Sequence, residues 1–376
     1  MENPEFTAKP ILKTPHVLPL FPNFAEFTTF IDVPLLQRSL ELWKELQEYH
    51  EKRFPISVHR PLNLCGGLMI GKPDSEVVSG TLRSIRQHNL PHQILSAEEV
   101  RRKYEVFNLT DDEIGIWEGN AGYLHPEVVI ETYIQMAEQF GARARYGERF
   151  VSFQQICDSS NGLNLLVETS QRTYRCKKLI LTVGAWAKEF YGASLPFPIR
   201  LERRVLYWFE PAQAQNPDHR RAFQHMPVYI WDMGKEQGNF YGFPEQRGYE
   251  GSVKVAIHYN RFTDGKACDS PATVDREVAP WEIETMRGIL AEKIPRMNGT
   301  LKETATCMYT LTPDEHFLID FHPSNPHVVL ASPCSGHGFK FCSVVGEVLS
   351  QLAVEGRTPH DIDLFRIRTR ALPSKL

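Results

Sequence analysis

Apolar residues recur along this chain with two periods, and their order sketches an architecture. From Val33 a helix is clear: Leu36, Leu40, Trp43, Leu46 and Tyr49 mark one face, Asp32 can cap it, and Pro34 suits its first turn. Residues 68–70 are a short apolar strand. Ser96 and Glu99 form the Ser-x-x-Glu signature of a capping box, opening a helix that runs to Tyr104. A helix over 126–140 should turn Val129, Ile130, Tyr133, Ala137 and Phe140 inward and stop at Gly141. Residues 163–168 and 173–176 suit hairpin strands. Residues 178–183 are a mostly apolar strand running into Gly184-Ala185-Trp186. Near Arg200 the texture changes. Short aromatic-rich strands at 205–209, 228–231, 239–243 and 252–258 predict an antiparallel sheet, followed by a helix over 281–294 and a strand over 301–309.

The stretch from Cys307 to Phe341 organises the rest. Residues 328–331 are wholly apolar, as a buried strand requires. Ser335-Gly336-His337-Gly338 follows, and then Val344, Val345, Val348, Leu349, Leu352 and Ala353 at helical spacing, closed by Gly356. Glycines before a helix let backbone approach a ligand, and the helix N-terminus offers unpaired N–H groups and the positive end of a dipole. Lys340 adds a cation. This reads as an anion site, with plain strand-to-helix packing an equal alternative. In 252–258, Val253, Val255 and Ile257 point one way and Lys254, Ala256 and His258 the other. On pattern alone, the second face reads as a solvated edge.

Composition narrows the class. The chain has 376 residues, 42% hydrophobic and 23% charged, enough for one large or two intimate domains. A net charge of −4 suggests no nucleic-acid or membrane-surface partner, and no apolar run reaches transmembrane length. Seven scattered cysteines without C-x-x-C pairs argue against a disulfide framework or a zinc knuckle, and His316, His322, His327, His337 and Cys334 match no metal spacing. The N-terminus carries no secretory signal. The chain ends in Ser374-Lys375-Leu376, a peroxisomal address read by an import receptor.

Three strings, Cys-Met-Tyr-Thr at 307–310, Pro-Asp-Glu-His-Phe-Leu-Ile-Asp at 313–320 and Ser-Gly-His-Gly-Phe-Lys-Phe at 335–341, closely resemble the monomeric sarcosine oxidase family, which includes peroxisomal sarcosine/pipecolate oxidase and N-methyltryptophan oxidase. The resemblance covers about residues 33–370. It implies an α/β fold: a Rossmann-like FAD-binding domain with an inserted α+β domain built on an antiparallel sheet. The implied division is an atypical irregular tract over 1–32, the remainder of the FAD-binding domain over 33–60, 124–198 and 312–376, and the substrate domain over 61–123 and 199–311.

The resemblance also implies roles. Cys307 would bond covalently to the flavin, although a buried structural cysteine is the commoner fate of such a residue. Gly184, Ala185 and Trp186, and Gly336, His337, Gly338, Phe339 and Lys340, would be flavin contacts, and Lys340 would also be a catalytic residue, near the substrate carboxylate or the flavin's pyrimidine edge. Lys254 would activate oxygen. His258 and Tyr241 would line the substrate pocket, Tyr241 otherwise being a core aromatic. The implied activity is oxidation by oxygen of a small secondary or N-methyl amino acid, such as sarcosine or L-pipecolate, by a monomer in the peroxisome. The family's G-x-G-x-x-G turn and ribose-binding acid have no counterpart in 1–32, where Pro4, Pro10, Pro15, Pro19 and Pro22 suggest irregular chain. The alternative expectation is therefore a truncated, flavin-free relative acting as a binding protein or non-functional isoform.

Overall fold

A computed structural model describes residues 18–20, 32–57, 59–158, 162–213, 216–246, 251–259 and 267–367. Most of the 1–32 tract and the terminal Ser374-Lys375-Leu376 lie outside the described residues. Within that tract, Leu18–Leu20 is a strand paired antiparallel with Gly122–Leu124, which also pairs with Leu62–Leu64.

The chain folds as mixed helix and sheet around a nine-stranded sheet. Its order is Ala267–Cys268, Arg200–Phe209, Val253–Tyr259, Asn239–Gly242, Val228–Asp232, Gly67–Gly71, Ile114–Glu118 and Gln93–Ser96, and Leu301–Leu311 pairs along Arg200–Phe209. Every pairing is antiparallel except Val228–Asp232 with Gly67–Gly71. Strands from residues 67–118 and 200–311 thus share one sheet. One face buries Tyr207, Tyr229, Trp231, Phe240, Val253 and Val255 beneath Met286 and Leu290 of the Pro280–Lys293 helix. The other face buries Leu206, Trp208, Ile230, Tyr241 and Ala256.

A smaller sheet places Asn325–Ser332 between Leu179–Leu181, in parallel, and Leu318–His322, antiparallel. Leu35 and Leu36 of the Asp32–Arg53 helix and Val344, Val348 and Leu352 of the Cys342–Glu355 helix cover one side of it. The other side packs on Tyr191, Phe197 and Leu165, the last from a hairpin sheet of Phe150–Asp158, Gly162–Thr169 and Thr173–Cys176. Ser96 caps Ala97–Lys103 with the reciprocal Ser96–Glu99 hydrogen bonds, and Gly356, at φ +74°, ends the Cys342–Glu355 helix.

Three expectations change. The Pro126–Gln139 helix buries Val129, with Tyr133 and Met136 packed alongside it on Leu40 and Trp43. Ile130 is instead half exposed, and Ala137 and Phe140 are exposed. The helix is covered on one side only, so a stripe at i, i+4, i+7 suffices. The strand Phe150–Asp158 was not expected, because its polar positions hide the period. Finally, residues 252–258 form no solvated edge: Val253–Tyr259 has a strand on each side, and Lys254 is 1% exposed.

Candidate functional site

The second face of the nine-stranded sheet is built by register. Lys254 stands opposite Trp208, Ala256 opposite both Leu206 and Tyr241, and Cys307 opposite Arg204. Because side chains alternate, Lys254, Ala256 and His258 share this face with Cys307 and Tyr309. Facing it is the turn between Asn325–Ser332 and Cys342–Glu355. Together they enclose a cavity of about 860 Å³, within the range of cofactor sites (roughly 300–1,000 Å³).

The turn has little freedom. Ser335 and Gly336 have φ of +41° and +81°, and a Cβ on Gly336 would stand 2.7 Å from the Tyr309 ring. A Cβ on Gly338 would fall 1.5 Å from the Pro333 carbonyl oxygen. The Ser335 N–H donates to the Thr310 carbonyl at 2.9 Å, and the His337 N–H donates to that of Cys334 at 3.0 Å. The His337 ring stacks on Phe317 with centroids 4.9 Å apart. The Lys340 carbonyl accepts from Ser39 Oγ at 2.6 Å and from Trp43 Nε1 at 2.9 Å, while Phe339 stacks on Trp43. The N-terminal helix thereby fixes the turn.

Lys254 is boxed by aromatic rings: its Nζ is 5.2 Å from the Phe243 centroid and 5.6 Å from that of Trp208. Burial lowers its proton affinity to a pKa of about 8, against an opposing pull from Cys307 and Glu127. Burial pushes the Cys307 thiol up, and Lys254 and Arg204 counteract this. His258 Nδ1 is hydrogen-bonded to the Tyr309 hydroxyl at 2.8 Å.

The structure brings Tyr241, Lys254, His258, Cys307 and Lys340 to this one cavity, with Gly184, Ala185, Gly336, His337, Gly338 and Phe339 on its wall. Trp186 differs: it is 45% exposed and does not line the cavity. Sequence reading missed Tyr309, Asn239 and Glu127. Tyr309 lies inside a motif string, at the alternating position after Cys307, so parity could have placed it on the same face. Asn239 and Glu127 give no such signal. Among the described residues, no group of three or more His, Cys, Asp or Glu is placed to hold a metal ion, and no helix is long and apolar enough to cross a membrane.

The family model described as FAD dependent oxidoreductase matches residues 21–352, and the chain belongs to that family. It is similar to the monomeric sarcosine oxidase of Streptomyces avermitilis, with 38% identity covering 90% of this chain and 83% of the relative. It is also similar to the human peroxisomal sarcosine oxidase, with 26% identity covering 89% and 80%. Among solved structures, the open form of NikD, an unusual amino acid oxidase essential for nikkomycin biosynthesis, superimposes with a TM-score of 0.75 at 19% identity, covering 94% of this chain and 86% of that one. The L-proline dehydrogenase of P. horikoshii gives 0.72 at 19%, covering 91% and 84%.

The cavity fits the cofactor of that family. Two buried lysines and a helix N-terminus suit a ring system whose edge carries negative charge. Nothing lies within 4 Å of where a Cβ on Gly184 or Gly346 would project, which leaves room for a flat group against the backbone. Asn239 Oδ1 is buried without a hydrogen-bond partner, an acceptor that a ligand donor would satisfy.

Proposed function

We propose that this FAD-dependent oxidoreductase is an oxidase of small secondary or N-methyl amino acids, of the sarcosine or L-pipecolate type, yielding an imine, then an aldehyde where the imine hydrolyses, together with hydrogen peroxide. The observation that carries the reading is the convergence of Lys254, His258, Cys307 and Lys340 on one cavity roofed by a glycine turn. A bound flavin would supply the redox chemistry, taking up the two electrons lost as the amine C–N becomes C=N and passing them to oxygen.

The chain's own residues supply position and charge. Lys254, held as a buried cation, stabilises negative charge developing on oxygen. Lys340 and the N-terminus of Cys342–Glu355 hold negative charge at the cofactor edge or on the substrate carboxylate. Tyr241 and His258 shape the substrate pocket, and the aromatic walls exclude water. Cys307 is the covalent anchor through a thioether. Gly184 and Ala185, and the 336–340 turn, let backbone approach the ring, with Trp186 flanking the first of these contacts. We assign residues 33–60, 124–198 and 312–376 to the cofactor domain and 61–123 and 199–311 to the substrate domain. The protein acts as a monomer. We place it in peroxisomes, the compartment that the human relative's name gives.

The test is peroxide release from sarcosine and from L-pipecolate by purified protein with its flavin content measured. Release that needs flavin and one of these amines supports the reading. A protein that takes up no flavin, or that is yellow and inert to both, refutes it.

A further inference from the structure

Resting on the amine-oxidase reading above, we propose that Tyr309 is a positioning residue that fixes the tautomer of His258, and that Arg204 biases it to do so.

Three observations carry this. The Tyr309 hydroxyl and His258 Nδ1 are 2.8 Å apart, so one of them donates to the other. The Arg204 guanidinium lies over the Tyr309 ring, 5.1 Å from its centroid. Arg204 is 8% exposed, its Nη2 is paired with Glu202 Oε2 at 2.7 Å, and its Nε is buried without a partner. A cation over a phenol ring draws electron density from it, making the hydroxyl a better donor and a poorer acceptor. The Tyr309 O–H therefore donates to Nδ1. In the neutral ring the proton is then on Nε2, which makes that nitrogen a donor.

The surrounding charges agree. Continuing the ladder that pairs Lys254 with Trp208 and Ala256 with Leu206 puts His258 opposite Arg204. Lys254 lies on the same face of the same strand, and Tyr241 has its ring centroid 6.3 Å from that of His258. Lys340 and His337 share the cavity, Glu202 neutralises part of Arg204, and Glu127 is the acid on the cavity wall. Among the described residues, the charged groups around His258 are mostly cations. The Nε2–H of His258 suits a carboxylate or carbonyl acceptor on the substrate.

The experiment uses the flavin-loaded full chain and its Tyr309→Phe variant, with His258→Asn to assign the signal. Long-range 1H–15N spectra of the imidazoles near pH 8 should show His258 as the Nε2–H tautomer. In Tyr309→Phe that pattern should become a mixture, and protonation of His258 should move up by about half to one pH unit, the worth of one hydrogen bond to a single protonation state. The acid limb of kcat/KM should move with it, while Arg204→Gln should give a shift of the same sign. A wild-type Nδ1–H tautomer, or a His258 titration unchanged in Tyr309→Phe, overturns the proposal. Should neither amine be oxidised, the oxidase reading fails while the spectra still decide the tautomer.

Discussion

Lys254→Met should make the protein more stable and less active. Lys254 is 1% exposed between Trp208 and Phe243, and burial takes its pKa from 10.5 to about 8. At about 1.4 kcal/mol per pKa unit, holding the ammonium there costs roughly 3 kcal/mol relative to water. Near pH 7 the folded protein carries nearly all of that cost, because the group is still mostly protonated. Methionine keeps the length of the side chain and removes the charge. Allowing about 1 kcal/mol for imperfect packing leaves a gain of roughly 2 kcal/mol. Spread over 376 residues, at about 2.1 cal/mol/K each, this raises Tm by about 2–3 °C. The advantage depends on pH in a defined way. Between about 8 and 10.5 the unfolded wild-type chain holds a proton that the folded one has released, so wild-type stability rises with pH across that window. The advantage of the variant should therefore shrink from about pH 8 to about pH 10.5. The assay is thermal melting of both proteins at about pH 7 and about pH 10, with flavin content matched by visible absorbance. A variant that melts lower at neutral pH, or a gap that does not close, refutes the claim that Lys254 is a charge held at a cost.

Further expectations follow from the same geometry. Stopped-flow traces should show Lys254→Met slowing reoxidation of the flavin by oxygen far more than its reduction by substrate; equal slowing would count against the oxygen role. Cys307→Ser should release flavin that otherwise stays with the denatured chain on a gel, and freely extractable flavin in the unmutated protein would refute the anchor. Gly338→Ala forces a Cβ to 1.5 Å from the Pro333 carbonyl oxygen and should lower stability by about 3 kcal/mol or more, read from denaturant melts. Trp43→Phe keeps the stack on Phe339 but removes a donor to the Lys340 carbonyl, worth about 1 kcal/mol, and should raise KM about fivefold with kcat little changed.

Where local signals met the site, the chain was readable. Gly356 sits in the left-handed conformation its position after an apolar helix implied, and the Ser96–Glu99 box is formed. The alternation in 252–258 gave the correct grouping of Lys254, Ala256 and His258. It could not say what stands on their side, because parity carries no information about neighbours; three paired strands and the turn facing them turn an apparent edge into a cavity wall. Tyr309 escaped notice for the same reason, since its meaning depends on His258 and Arg204 lying on other strands. The Pro126–Gln139 helix misled because Ile130 and Phe140 are apolar yet meet no core; Ile130 opens on the cavity instead. Trp43 was legible only as core, and its donation to Lys340 required a contact 297 residues away.

That last contact has a consequence for synthesis. The Lys340 turn is held by Ser39 and Trp43, Ser39 and Ser343 share a hydroxyl contact at 2.6 Å, and Arg38 pairs with Glu347 at 2.7 Å, across separations of 297 to 309 residues. The Asp32–Arg53 helix can cover its Leu40 and Trp43 side with Val129, Tyr133 and Met136, but its Leu35 and Leu36 side stays uncovered until the Cys342–Glu355 helix has been made. The pocket is thus completed only once that second helix is in place: a chain stopped before Cys342–Glu355 should take up no flavin, however well its central sheet has formed.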